Sequence, residues 1–439
     1  MATTRADLAD HLRRTVPGLA VDDGDGLTAE ALVVDGLTAR AMATPTREEE
    51  VAALLALASA EGWRVHVRGG GSQEEAAEPI VGVDVVLSLA ALRGITEHAP
   101  EDLTLGAWAG TPLPALTDRL GRVGQRLPNP PLAQTPTLGG IVATGQSGPF
   151  RLGHRTPRDS VLGLRLCLAD GSVVRTGSRV VKNVAGYDLT RLVIGSLGTL
   201  AVVTAAFVRV APQPPATATL WCEGDDRERS RERLVDWQGA GLEPVAFEHL
   251  DGGAALAAGL GDGQGTLCAF EDETEAVDAV VAIALSDSGA TGAVLTDPAA
   301  HLAWQTLHHA PAASALLLRL STLPADVPAL LEVARATRHK AGLPPLALRA
   351  GVGTGMSHLW GPAGELAAEA RFVAGLRSEA EARGGRLVLE RAPLALRRTV
   401  GVFGTPPAAA ETMRALKRAL DPAGILGPGR MAFEREAMA

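Results

Sequence analysis

A chain of 439 residues with a net charge of -9 is long enough for two or three domains with their own cores, and its acidic balance excludes a surface built to neutralise nucleic-acid phosphates. Hydrophobic residues at 46% and charged residues at 21% exclude a disordered chain. Cys167, Cys222 and Cys268 lie far apart with no CxxC pair, which excludes an iron–sulfur cluster or zinc ribbon assembled within this chain; they read as buried thiols of a reducing compartment.

Residues 1–35 read as a helical lead-in, with Leu8, Leu12 and Val16 at helical spacing. This start lacks the apolar core of a signal peptide, and no stretch approaches the roughly 18 apolar residues of a membrane span, so the expected location is cytoplasmic. Asp22 to Gly26 lacks the third acidic position and the closing glutamate of a calcium loop and reads as a turn. Thr46 with Glu49 predicts a capping box ahead of a helix from Val51 to Glu61. A strand from Arg64 to Val67 follows, stopped by Gly69-Gly70-Gly71. Further strands are expected at Val83 to Leu87 and Asp102 to Leu105, a helix at Leu113 to Leu120, and a proline-rich connection from Leu127 to Pro136. Asp170-Gly171 predicts a tight turn between strands Gly163 to Ala169 and Val173 to Thr176. A long strand from Leu200 to Val210 runs into Pro212-Gln-Pro-Pro215, where a domain boundary is expected. Beyond it, short strands (Thr217 to Cys222, Leu316 to Leu320) alternate with alanine-rich helices (Glu365 to Arg383). The tail from Met413 to Arg430 predicts a helix broken at Asp421-Pro422.

Composition is biased toward Ala, Gly, Arg and Leu, so the disfavoured types carry information. Of three lysines, two asparagines and one tyrosine, three residues, Lys182, Asn183 and Tyr187, fall within the seven-residue stretch ending at Asp188. Three successive glycines after a strand let backbone N–H groups converge on an anion. No Gly-Lys-Ser/Thr follows and no GxGxxG occurs there, so neither a Walker loop nor a dinucleotide fingerprint explains them. Pro136 to Gly148 adds small residues and the hydroxyls of Thr137, Thr144 and Ser147, which suit close backbone approach to a flat polar ligand. A further glycine-rich turn from Gly195 to Thr199 leads into a strand. The adjacent side chains of His308 and His309 would diverge on a helix, so no metal site is expected.

These segments, Val67 to Ser72, Thr137 to Thr144, Arg158 to Gly163, Val181 to Leu189 and Gly195 to Leu200, resemble the FAD-binding domain of the vanillyl-alcohol oxidase superfamily. Within it they are most similar to the FAD-binding subunit of bacterial glycolate oxidase, chiefly through Lys182 to Leu189. The resemblance covers Arg40 to Pro212 and the tail from Ala415 to Arg430. It implies an α+β fold: a PCMH-type two-subdomain FAD-binding domain at 36–213, an α+β cap or substrate domain at 214–405, and a C-terminal segment at 406–439 returning to the FAD domain. It also implies that Arg68, Gly69, Gly70, Gly71 and Ser72 hold the FAD pyrophosphate. Pro136, Thr137, Gly139, Gly140, Thr144 and Gly148 would line the flavin and ribityl chain, with Gly195 in the neighbouring turn, and the backbone from Leu200 to Val202 would meet the adenine. Lys182 and Asp188 are candidates for structural or flavin-adjacent polar roles rather than acid–base work, and Tyr187 is placed with them among the cofactor-binding residues. Relatives with a histidyl-linked flavin carry that histidine in the glycine loop, where this chain has Ser72, so non-covalent FAD is expected.

Oxidation of a 2-hydroxy acid needs a base, a cation for the carboxylate and the flavin as hydride acceptor. Related dehydrogenases present two histidines in an HxGDGNxH strand, whereas the nearest likeness here, Arg349 to Met356, has arginine and methionine in their place. His358 is a candidate displaced base, Arg349 a candidate carboxylate ligand, and Arg319 and Arg391 are further cations. Three readings stay open. One is an FAD-binding subunit of a glycolate oxidase-like complex, with a second flavoprotein subunit and an iron–sulfur subunit as partners and any membrane association made through them. Another is a self-sufficient FAD-dependent 2-hydroxy-acid or polyol oxidase, and the third a non-catalytic FAD-carrying structural subunit.

Overall fold

Helix Glu48–Glu61 joins two strands of a four-stranded sheet in a computed structural model that describes residues 5–24, 29–128, 135–177, 187–288 and 292–434. The sheet runs in the order Ala20–Asp22, Ala41–Thr44, Val85–Ser88, Val65–Arg68, its last two pairings parallel. Val51, Leu54, Leu55 and Ala58, at helical spacing, bury one face of that helix, and Gly62 ends it in the left-handed region at φ 69°. The box at its start sits one residue later than the sequence suggests. Arg47 is the N-cap, and Glu50, not Glu49, accepts from Thr46 N at 2.8 Å and from Arg47 Nη2 at 2.8 Å. Glu49 is one residue out of the 3.6-residue phase needed to reach back over the first turn.

A second, wholly antiparallel sheet has the order Val173–Gly177, Val161–Cys167, Val202–Arg209, Thr104–Trp108, Ile95–Ala99. Its first two strands meet at the Asp170-Gly171 turn, with Gly171 at φ 85° and Ser172 N donating to Asp170 Oδ1 at 2.8 Å. Both sheets share one apolar core, which takes in Leu8, Leu12 and Val16 of helix Arg5–Thr15. Buried Glu48 crosses between the layers, accepting from Arg165 and from Thr204. Burial alone would raise its pKa, but these bonds hold the carboxyl below its usual range.

An eight-stranded antiparallel sheet begins at Ala216. Its order is Gly292–Val294, Ala216–Glu223, Gly265–Asp272, Ala246–Leu250, Ala347–Gly351, Met356–Gly361, Leu316–Ser321, Arg386–Arg391. Helices Arg227–Gly239, Val327–Lys340 and Leu366–Ala382 bury Leu234, Trp237, Leu330, Leu331, Phe372 and Leu376 in its main core. Cys222 and Cys268 are buried here and Cys167 in the first core; all three are free, and burial pushes the Cys167 thiol up to about 12.

The tail returns to the first core. Helix Ala410–Leu420 stops before Asp421-Pro422, and Ile425 and Leu426 insert beside Val65, whose N–H donates to Ile425 O at 2.7 Å. Buried Lys417 fastens this return by donating to Thr199 O at 2.7 Å, Asp421 Oδ2 at 2.6 Å and Leu426 O at 2.7 Å. The eight-stranded sheet is fastened to the first core by Glu271, which takes Arg126 Nη1 at 2.7 Å and His154 Nε2 at 2.7 Å. Among the described residues no helix is long and apolar enough to cross a membrane.

Candidate dinucleotide cleft and adjoining cavity

The strand Val65–Arg68 ends at a cleft of about 850 Å³ lined by Gly69, Gly70, Gly71 and Ser72 on one side and by Pro136, Thr137, Gly139, Gly140 and Thr144 on the other. The glycines are required by how closely the walls approach. A Cβ at Gly70 would lie 1.8 Å from Thr135 O, one at Gly69 2.6 Å from Thr137 Oγ1, and Gly71 takes φ 72°. Thr137 Oγ1 caps the short helix Leu138–Thr144 by accepting from Gly140 N at 3.2 Å. A Cβ at Gly139 would meet the Ala109 Cβ at 2.6 Å, so this turn is pressed against the sheet behind it. Leu197 and Gly198, both at positive φ, form part of the far wall.

Charge at the cleft is unevenly committed. The Arg68 guanidinium is spent on Glu74 Oε2 at 3.0 Å, on further bonds to Glu74 and Ala31 O, and on Val33 O at 3.3 Å. What the loop offers an anion is therefore its backbone. His66 Nε2 lies 3.1 Å from Glu74 Oε1. Burial lowers the His66 pKa, so the neutral ring donates from Nε2 and leaves Nδ1 a buried acceptor without a hydrogen-bond partner among the described residues. Burial would raise Glu74, but His66 and Arg68 hold its carboxyl at about 2. Arg430, from the returning tail, is buried in the cleft wall; Nη2 donates to Glu74 O at 2.6 Å, Nη1 lies 3.7 Å from Asp35 Oδ2, and among the described residues Nε has no hydrogen-bond partner. A glycine cradle too tight for a Cβ, a buried cation with a donor left over and an imidazole acceptor without a partner among the described residues fit a ligand that is anionic and polar, as a dinucleotide is.

A second cavity, of about 960 Å³, shares Thr144, Gln146 and Leu197 with the cleft and is closed by the eight-stranded sheet through Arg319, Met356, His358, Val388 and Glu390. Arg151 enters from the first position of the short helix Arg151–His154. Arg319 Nε donates to Glu390 Oε1 at 2.6 Å. Arg349 and His358 are cross-strand partners, with Arg349 Nη2 2.8 Å from His358 Nδ1. An arginine has donors alone, so His358 Nδ1 is the acceptor and the proton of the neutral ring sits on Nε2, facing Glu390 Oε2 at 3.8 Å. Burial, reinforced by Arg349, Arg319 and Arg151, keeps His358 neutral by lowering its pKa well below the usual value. Behind this wall Arg349 Nε lies 3.6 Å from Glu248, whose carboxyl burial pushes up to about 7.

The cofactor positions expected from the sequence divide accordingly. Arg68 to Ser72, Pro136, Thr137, Gly139, Gly140 and Thr144 line the cleft, and Gly195 lines the adjoining cavity. Gly148 lines neither. Leu200 and Val202, expected to meet the adenine through their backbone, have buried side chains and line neither space, while Val203 beside them lines the cleft. Tyr187 is 97% exposed, and Asp188 caps helix Leu189–Val193 by accepting from Arg191 N at 2.9 Å, so neither reaches the cleft. Rarity of residue type carries no information about direction. Lys182 lies outside the described residues. His358 borders the adjoining cavity as a donor rather than a base, and Arg349 sits behind it. His66, Glu74, Gln146 and Arg430 at the cleft and Arg151 and Glu390 at the cavity were not singled out; Arg430 had a signal, closing the tail motif Asp421 to Arg430.

Comparison with known proteins agrees with this geometry. Residues 39–177 match the FAD binding domain family, and residues 404–431 match the C-terminal domain of FAD linked oxidases. The chain carries an FAD-binding domain. Its cofactor is FAD, and both matched segments are those of FAD-linked oxidoreductases. Glycolate oxidase subunit GlcE of Escherichia coli is 38% identical over 186 residues, 42% of this chain and 51% of that protein. A D-lactate dehydrogenase of Archaeoglobus fulgidus is 37% identical over 169 residues, 38% of each chain. The matched part thus spans about half or less of these curated relatives. The fold extends further: p-cresol methylhydroxylase superposes with a TM-score of 0.77 over 97% of this chain and 96% of that one, at 16% identity. The α+β architecture with a PCMH-type FAD domain is the one observed.

Proposed function

We propose that this chain is the FAD-binding subunit of a glycolate oxidase-like complex, oxidising a small 2-hydroxy acid such as glycolate or D-lactate and passing the electrons to a second flavoprotein subunit and an iron–sulfur subunit. The observation that carries the reading is the arginine-lined cavity opening onto the FAD cleft through Thr144, Gln146 and Leu197. The loop Gly69 to Ser72, Thr137 and Arg430 would hold the cofactor, non-covalently since Ser72 stands where linked relatives carry histidine. Bound flavin supplies the two-electron acceptor for a C–H bond of the substrate. Arg151 offers a cation to the substrate carboxylate, and Gln146, held by Gln73 at 2.8 Å, offers a polar edge between the two spaces. Glu390 Oε2 is the acceptor available to a substrate hydroxyl, since His358 presents a proton rather than a lone pair.

The purified FAD-loaded chain, mixed anaerobically with glycolate or D-lactate, should lose its yellow colour as the flavin is reduced. Failure to bleach alone and in the presence of the partner subunits would sink the reading. Acid precipitation should release the flavin into the supernatant.

A second reading, a non-catalytic FAD-carrying subunit, draws support from the same His358 geometry, which removes the candidate histidine base. It predicts a yellow protein that no 2-hydroxy acid bleaches.

A further inference from the structure

The cavity beside the FAD cleft holds a charge pattern that oxidation alone does not demand. Two guanidiniums and one carboxylate line it: Arg151, Arg319 and Glu390. Arg319 is already answered, with Nε on Glu390 Oε1 at 2.6 Å and Nη1 on Ser321 Oγ at 3.0 Å. Arg151 is not. Its Nη1 rests on the thioether of Met356 at 3.1 Å, and the carboxylates that act on it, Glu248 and Asp159, do so only from beyond ion-pair distance. The His358 ring adds a donor, and behind the wall Arg349 Nε lies 3.6 Å from Glu248 Oε2. The lining residues therefore carry one more positive than negative charge, beside apolar walls from Ala76, Val388 and Phe403.

We infer that this cavity is a receptor for a single carboxylate, anchored by Arg151, and that Glu390 is the specificity-determining residue that turns dicarboxylates away. The inference rests on the proposed function and narrows its substrate to monocarboxylic hydroxy acids. A first carboxylate on Arg151 completes the charge balance. A second would have to displace Glu390 from Arg319 or face it as a like charge. Gln at position 390 keeps an oxygen for Arg319 Nε but removes the opposing charge, so Arg319 becomes a second anchor.

The test uses the FAD-loaded chain and carboxylates that lack the hydroxyl and so cannot be oxidised: acetate and propionate against malonate and succinate. Binding is read from the flavin difference spectrum and by calorimetry. The wild-type protein should bind the monocarboxylates roughly tenfold or more tightly than the dicarboxylates, and Glu390→Gln should erase or reverse that ratio. Arg151→Gln, scored for retained FAD, should lose monocarboxylate binding and serves also if Glu390→Gln does not fold. Equal binding of both classes by the wild type, an unchanged ratio in Glu390→Gln, or undiminished binding in Arg151→Gln would overturn the inference while leaving hydroxy-acid oxidation intact, provided glycolate still bleaches the flavin. A wild type that binds neither class and is not bleached would overturn both.

Discussion

The FAD cleft and the cavity beside it are neighbours built on opposite principles. The cleft is shaped by main chain: glycines without room for a Cβ, a threonine cap and a helix turn pressed against a sheet. The cavity is shaped by side chains drawn from distant parts of the chain, whose charges and donors face one another at short range. A backbone-built site tolerates no added atom but needs few particular side chains. A side-chain-built site tolerates reshaping but fails when one charge of a pair is lost.

The sharpest way to test that contrast is to break a charge pair in the eight-stranded half. Arg338 Nη1 donates to Glu369 Oε1 at 2.6 Å with both side chains buried. Glu369→Ala leaves that guanidinium uncompensated and should cost about 3–5 kcal/mol in chemical denaturation, with FAD affinity of the folded protein unchanged. Loss of FAD affinity in step with stability would mean that the two regions are not separable.

Glu271, at the seam between the halves, gives the next largest effect. Burial would raise its pKa, but Arg126 and His154 hold the carboxyl at about 2 against an ordinary 4.5. The unfolded chain therefore takes up the proton first. Stability from this group is present above pH 4.5 and is lost as pH falls toward 2. The loss should amount to roughly 3 kcal/mol across that window, and denaturation curves of Glu271→Gln against pH should lack it. Parallel curves for the two proteins would refute the assignment.

Within the cleft, Arg430→Gln removes the buried cation of the wall and should weaken FAD binding by about 1.5–3 kcal/mol, measured by flavin fluorescence during reconstitution of the apoprotein. Gly70→Ala should weaken it by about 1–3 kcal/mol, because the new methyl group must push back Thr135 O from 1.8 Å. Global stability should be nearly unchanged in the latter. An alanine variant that binds FAD normally would show that the cradle is looser than its geometry implies.

The same contrast explains what could be read in advance. Gly69 to Gly71 were visible as a run because positive φ and close approach leave few alternatives to glycine, and residues flagged with them line the cleft. The hairpin at Asp170-Gly171 and the helix ending at Gly62 were legible for the same local reasons. Tyr187 and Asp188 stood out by rarity, yet one is exposed and the other caps a helix, because composition says nothing of where a side chain points. Arg151, Arg319, His358 and Glu390 come from a short helix and three strands, and no spacing in the sequence joins them.

By itself the sequence determined the glycine-rich backbone, several helices and strands of the first 212 residues, and a resemblance strong enough to expect FAD, because those depend on local sterics and on motifs of a few residues. The tertiary structure alone decided which cation faces the cleft, which nitrogen of His358 carries the proton, and which arginine in the adjoining cavity lacks a carboxylate. Those properties belong to pairs of groups far apart in the chain. Their charge state is set by burial and by the partner that folding places beside them.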